Sequence, residues 1–82
     1  MTYGGEMKIE VLGMGCENCN RLYQNAVEAV RMSGKNIEVA KVEDITAIMK
    51  YGVLSVPALV IDGVVKTVGK VPKPEEIKQW IE

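Results

Sequence analysis

Cys16 and Cys19 are the two cysteines of this 82-residue chain, spaced as Cys-Glu-Asn-Cys. Two thiols at i and i+3 on the first turn of a helix can close a disulfide with each other. They can also hold one soft metal ion between them. A thiol at a helix N-terminus meets unpaired backbone N–H groups and the positive end of the macrodipole, and both favour the thiolate. Glu17, beside Cys16, works in the opposite direction. Cys16 falls before or at the first helical residue and is expected to face solvent, whereas Cys19 lies one turn in, on the buried stripe. That asymmetry suits thiol–disulfide exchange, in which an exposed thiolate attacks and a buried thiol resolves the mixed disulfide. The bland alternative is a pair of small buried hydrophobes.

Two further features have a chemical reading beside a structural one. Pro57, in Ser55-Val56-Pro57, heads an otherwise good strand although proline cannot donate to a ladder. It is either a strand-start proline in an ordinary trans bond or a cis Val56-Pro57 bond shaping a loop against the thiols. Glu10 is a charged residue in a strand expected to be central. Either it reaches solvent, or it is a buried acid with a raised pKa beneath the thiols.

The elements that must position these residues follow from periodicity. Met7–Leu12 alternates as a strand. Glu17–Ser33 reads as a helix burying Cys19, Leu22, Tyr23, Ala26 and Val30, with Gly34 as its C′ residue. Asn36–Val42 is a second strand, and Asp44–Tyr51 a short helix burying Ile45, Ile48 and Met49, stopped by Gly52. Pro57–Ile61 and Val64–Val68 flank Asp62-Gly63, a strong hairpin signal. Pro74 opens a last helix, with Glu75 and Glu76 in its first turn and Ile77, Trp80 and Ile81 on its buried stripe. The order β-α-β-α-β-β-α predicts an α/β fold. A right-handed parallel crossover joins the first two strands, an antiparallel hairpin forms the last two, and helices cover both faces of a mixed four-stranded sheet.

Composition narrows the function. Eighty-two residues at 48% apolar content make one small domain, 1–82, without linker or repeat. Ten basic and eleven acidic residues are interspersed, with four aromatics (Tyr3, Tyr23, Tyr51, Trp80), so no nucleic-acid footprint is expected. Without histidine, imidazole metal sites and His-dependent triads are excluded. Neither a secretory leader nor a membrane-spanning run is expected. The expected compartment is a reducing cytoplasm, where a lone cysteine pair is more often catalytic or metal-binding than structural.

Together, Cys16–Cys19, Lys50-Tyr51-Gly52-Val53, Ser55-Val56-Pro57-Ala58-Leu59, the Asp62-Gly63 hairpin and the closing helix resemble the thioredoxin superfamily over nearly the whole chain. The compact length resembles its small, glutaredoxin-sized members. The resemblance implies a thioredoxin fold and a protein-disulfide oxidoreductase without cofactor, with Cys16 as nucleophile and Cys19 as resolving thiol. It implies a cis Val56-Pro57 bond, with Val56 and Pro57 forming the groove for an extended substrate. The partners implied are protein disulfides and an upstream disulfide reductase, met by a monomer. Thioredoxins also carry a buried acid six residues before the first cysteine, which matches Glu10, and a lysine beside it on the next strand, which would be Lys41. The chain departs from the thioredoxin Trp-Cys-Gly-Pro-Cys, having Gly15-Cys16-Glu17-Asn18-Cys19. It also lacks the Gly-Gly and acidic helix start with which glutaredoxins clasp glutathione.

Gly13-Met14-Gly15-Cys16-Glu17-Asn18-Cys19 also resembles the metal loop of heavy-metal-associated domains, which bind Cu(I)-type ions with two thiolates. That resemblance ends near Ser33, since the β-α-β-β-α-β order of those domains needs two strands directly after the first helix. Soft-metal carriage is therefore the alternative function. A redox-inert interaction domain on the same fold is a third.

Overall fold

The computed structural model describes residues 7–14 and 17–82. Its elements run β1 (Lys8–Leu12), α1 (Glu17–Ser33), β2 (Glu38–Val42), α2 (Ile45–Lys50), β3 (Ala58–Ile61), β4 (Val64–Val68) and α3 (Pro74–Ile81). The sheet order is β2-β1-β3-β4, with β1 parallel to β2 and antiparallel to β3, and β3 antiparallel to β4. The sheet is therefore mixed, and β1, which leads toward the cysteine pair, is one of its two inner strands.

Period-two alternation divides the strands between two cores. Ile9, Val11, Leu59 and Ile61 point to one face, where Leu22, Ala26 and Ala29 of α1 and Ile77 and Ile81 of α3 cover them. Leu12, Ala58 and Val60 point to the other, where the one buried residue of α2 is Ile48. Each fully buried Leu or Ile contributes about 1.5–3 kcal/mol, so the α1/α3 face supplies most of the apolar stabilisation.

Each helix begins and ends for local reasons. Glu17 complements the dipole of α1, and Gly34 (φ 71°) ends it in a left-handed conformation that a Cβ would disfavour. Its buried row is Cys19, Leu22, Ala26 and Ala29, with Val30 only half-buried. Ala29 takes the expected place of Val30 in a helix that packs against α3 as well as the sheet. The Asp44 carboxylate caps α2 by accepting from Thr46 N–H at 3.2 Å. Ile45 and Met49, expected in the core, are exposed at 53% and 68%. A six-residue helix is about 9 Å long and sets only one row on the sheet. Pro74 opens α3, and the Glu76 carboxylate accepts from Lys73 N–H at 3.0 Å.

Asp62 (φ 52°) and Gly63 (φ 81°) both take positive φ, as a two-residue hairpin turn of this hand requires. The Asp62 carboxylate also accepts from Lys8 N–H at 3.0 Å, tying the turn to the start of β1. Pairing shifts between Leu59↔Thr67 and Val60↔Val65, so Lys66 bulges out of the ladder.

Candidate functional site

Cys19 is the third residue of α1, 4% exposed and disulfide-bonded. Cys16, the proposed nucleophile, lies outside the described residues. The sulfur of Cys19 rests on Gly13, just past the end of β1. Gly13 is buried, has φ 151°, and donates its N–H to Val42 O at 3.0 Å. A Cβ at Gly13 would lie 2.3 Å from Cys19 Sγ, 3.3 Å from Cys19 Cβ and 3.4 Å from Val56 Cβ. The disulfide sulfur of Cys19 and the Val56 side chain therefore meet over one glycine, and the absence of a side chain there is what lets them meet.

The Val56-Pro57 peptide bond is cis. Pro57 is buried and Val56 is 43% exposed, so the ring anchors the loop while the valine faces outward. Pro57 O accepts from Gly69 N–H at 2.7 Å, and a Cβ at Gly69 would lie 3.9 Å from Ser55 Cβ. The turn after β4 thus closes the other side of the loop. Exposed Met14 (47%), Leu54 (100%) and Val68 (41%) belong to the same three segments as Gly13, Val56 and Gly69. A half-exposed apolar surface beside a buried disulfide sulfur can dock an extended apolar stretch of polypeptide.

Glu10 and Lys41, which the sequence paired, are on opposite faces of the sheet. Glu10 lies opposite Ala40 in the parallel register, and Lys41 opposite Val11. Side chains at paired positions share a face, so Lys41 follows Val11 to the α1 side. There its ammonium donates to Asn20 Oδ1 at 3.0 Å and sits 5.0 Å from the Tyr23 ring centroid. Glu10 faces the α2 side and is half-buried; no charged side chain is buried among the described residues. Short α2 covers too little of that face to enclose it. Its partner is instead Tyr51, whose hydroxyl donates to Glu10 Oε1 at 2.5 Å. That bond, with some burial and the nearby carboxylate charge, pushes the Tyr51 hydroxyl above its ordinary pKa.

Gly13, Gly69 and Tyr51 are the positions that residue-type reasoning did not assign to the site. The available signal at Gly13 was a glycine closing a strand directly before the thiol pair, where close backbone approach is the usual reason.

A cavity of about 460 Å³, lined by Tyr23, Val27, Val30, Ile37 and Val39 among others, sits between α1 and β2; it includes neither Gly13, Cys19 nor Val56. Among the described residues no three His, Cys, Asp or Glu side chains gather to hold a metal ion. Also among them, no helix is long and apolar enough to cross a membrane.

The thioredoxin domain family matches residues 7–82. The thioredoxin of Methanothermobacter thermautotrophicus is 41% identical over 73 residues, which span 89% of this chain and 95% of that protein. The thioredoxin of Methanocaldococcus jannaschii is 38% identical over 71 residues, spanning 87% of this chain and 81% of that one.

Proposed function

The chain belongs to the thioredoxin family, and from that premise we propose that it exchanges a Cys16–Cys19 dithiol for the disulfides of other proteins. The observation that carries this reading is the meeting of Cys19 Sγ and Val56 over Gly13, a resolving sulfur next to a surface for extended polypeptide. The Cys16 thiolate attacks one sulfur of a substrate disulfide, forming a mixed disulfide and expelling the other substrate sulfur as a thiolate. Cys19 then loses its proton and attacks the Cys16 sulfur, which releases the second substrate thiolate. Both thiolates take up protons. The substrate gains two electrons, and the chain is left as a Cys16–Cys19 disulfide. A disulfide reductase must return it to the dithiol for another cycle. Burial of Cys19 keeps it from competing for the first attack, which leaves that step to Cys16.

In this reading residues 1–82 act as one monomeric unit in a reducing cytoplasm, and the backbone of Val56 pairs with the substrate chain. Soft-metal carriage is not favoured: the family match continues through residue 82, and the short helix α2 stands where a metal-associated domain needs the second of the two strands after its first helix.

Insulin reduction followed by turbidity tests the mechanism. Cys16→Ser should abolish turnover, and Cys19→Ser should accumulate a mixed disulfide through Cys16. Wild-type turnover by Cys16→Ser would refute the reading. So would a reduced protein that fails to reduce insulin yet holds one equivalent of Cu(I) against a chelator.

A further inference from the structure

Tyr51 ends α2 and opens the loop that carries Val56 and Pro57. Between Tyr51 and Pro57 the one side chain this loop packs on the core is Val53, which rests against the cluster of Leu12, Ile48, Ala58 and Val60. Gly52, Leu54, Ser55 and Val56 are exposed, Val53 is half-buried, and Gly52 turns at φ 74°. A segment with one half-buried side chain between its ends takes much of its position from those ends. Its far end is held by the bond from Gly69 N–H to Pro57 O. Its near end is tied to α2 by Gly52 N–H donating to Met49 O at 2.9 Å, and to the sheet by the Tyr51 hydroxyl, which crosses the α2 face to Glu10 on inner strand β1. Three residues beyond Glu10 the same chain segment delivers Gly13, on which Cys19 Sγ and Val56 both rest. One hydrogen bond therefore joins the loop bearing the proposed substrate surface to the strand that seats the redox sulfur. The Tyr51 ring is held separately, packed on Leu12, Ile48, Ala58 and Val60, so the hydroxyl can be removed without emptying the core.

We propose that Tyr51 is a positioning residue for polypeptide substrates: its bond to Glu10 fixes the loop over residues 52–57 so that Val56 stands in register with the redox sulfur. This rests on the exchange reading above. A small disulfide reaches the thiols without pairing along Val56, so only extended substrates should sense the bond.

The test compares Tyr51→Phe, Glu10→Gln and Glu10→Ala with the unaltered protein. Three readouts are taken: insulin reduction, reaction of the reduced protein with 5,5′-dithiobis(2-nitrobenzoate), and amide hydrogen exchange of the folded chain. Tyr51→Phe should raise KM for insulin about fivefold, the worth of one net hydrogen bond. Its kcat and its rate with the small disulfide should stay within about twofold. Exchange at residues 53–56 should quicken by about the same fivefold while β1 and α1 amides keep their protection. Glu10→Gln retains a side-chain oxygen to accept from Tyr51 and should track the unaltered protein, whereas Glu10→Ala should copy Tyr51→Phe. Unchanged exchange at residues 53–56 in Tyr51→Phe overturns the proposal, as does an equal loss with insulin and with the small disulfide. If the unaltered protein does not reduce insulin, the exchange reading falls, and hydrogen exchange alone still decides whether Tyr51 holds the loop.

Discussion

Gly13→Ala places a methyl carbon where the redox sulfur already sits, and its consequences can be worked through both stability and redox chemistry. The added carbon would lie 2.3 Å from Cys19 Sγ, far inside the about 3.5–4.0 Å of an ordinary nonbonded contact. Two costs arise. A non-glycine residue held at φ 151° costs about 1–3 kcal/mol, and overpacking a buried site about 1–3 kcal/mol more. Against a total of about 4–12 kcal/mol for a chain of this size, Gly13→Ala should fold with much of its margin gone. The backbone cost is common to the oxidised and reduced forms and cancels between them. The steric cost does not, because the sulfur is held in place when bonded and can rotate away as a free thiol. The disulfide should therefore lose about 1–3 kcal/mol relative to the dithiol, which raises the reduction potential by about 20–65 mV at about 30 mV per 1.4 kcal/mol. Equilibration in dithiothreitol buffers, with alkylation and mass spectrometry, reads the potential; urea unfolding of each redox form reads the two stabilities. Gly13→Ala with an unmoved or lowered potential would refute the placement of that sulfur over Gly13, and a stability loss below about 0.5 kcal/mol would refute the packing argument itself.

Three other outcomes follow from side chains off the thiol pair. Because the folded pKa of Tyr51 lies above the ordinary value of 10.0, its bond to Glu10 contributes fully below that pH and is lost as pH rises through the folded value. Tyr51→Phe should thus cost about 0.5–1 kcal/mol near neutrality, the low end for a charged acceptor because the pair is only half-buried, and progressively less in alkali. A difference between the two proteins that stays constant from about pH 8 to about pH 11 in urea titrations would contradict it. The Thr67 hydroxyl is buried and finds no partner among the described residues, so Thr67→Val should stabilise by about 1 kcal/mol, read as a raised Tm; a loss would mean that the hydroxyl is satisfied. Asp44→Ala removes the cap on α2 and should cost about 1 kcal/mol in urea unfolding, and no change would mean that the cap contributes nothing.

Much of the scaffold was legible because local chemistry and tertiary demand agree. The boundaries of α1 follow from Glu17 and Gly34, and the hairpin from Asp62-Gly63, with no knowledge of the rest of the chain. What could not be read depends on register and coverage. Alternation places Glu10 and Lys41 each on one face of its own strand, but only the pairing of Glu10 with Ala40 decides that the two faces differ. The apolar spacing of Ile45, Ile48 and Met49 describes a helix face, and says nothing of how much sheet lies beneath it. Gly13 escaped assignment because its role consists in having no side chain, and the reason for that is the placement of Cys19 on the following helix together with Val56, which is distant in sequence.

The unequal covering of the sheet has a consequence for how such a chain can diversify. One face is sealed by two helices that pack on each other, and the other carries Ile48 as the single buried residue of a six-residue helix. Local opening follows buried contact, so α2 and the loop after it should separate from the sheet at lower free energy than α1 or α3. The proposed substrate loop belongs to this weaker unit, while Cys19 is borne by the stronger one. Substitutions at Ile45, Met49 or Leu54 can then reshape the surface offered to partners with little effect on the helix that bears Cys19. A small redox protein divided in this way can change the company it keeps through one short helix and one loop, and leave its chemistry untouched.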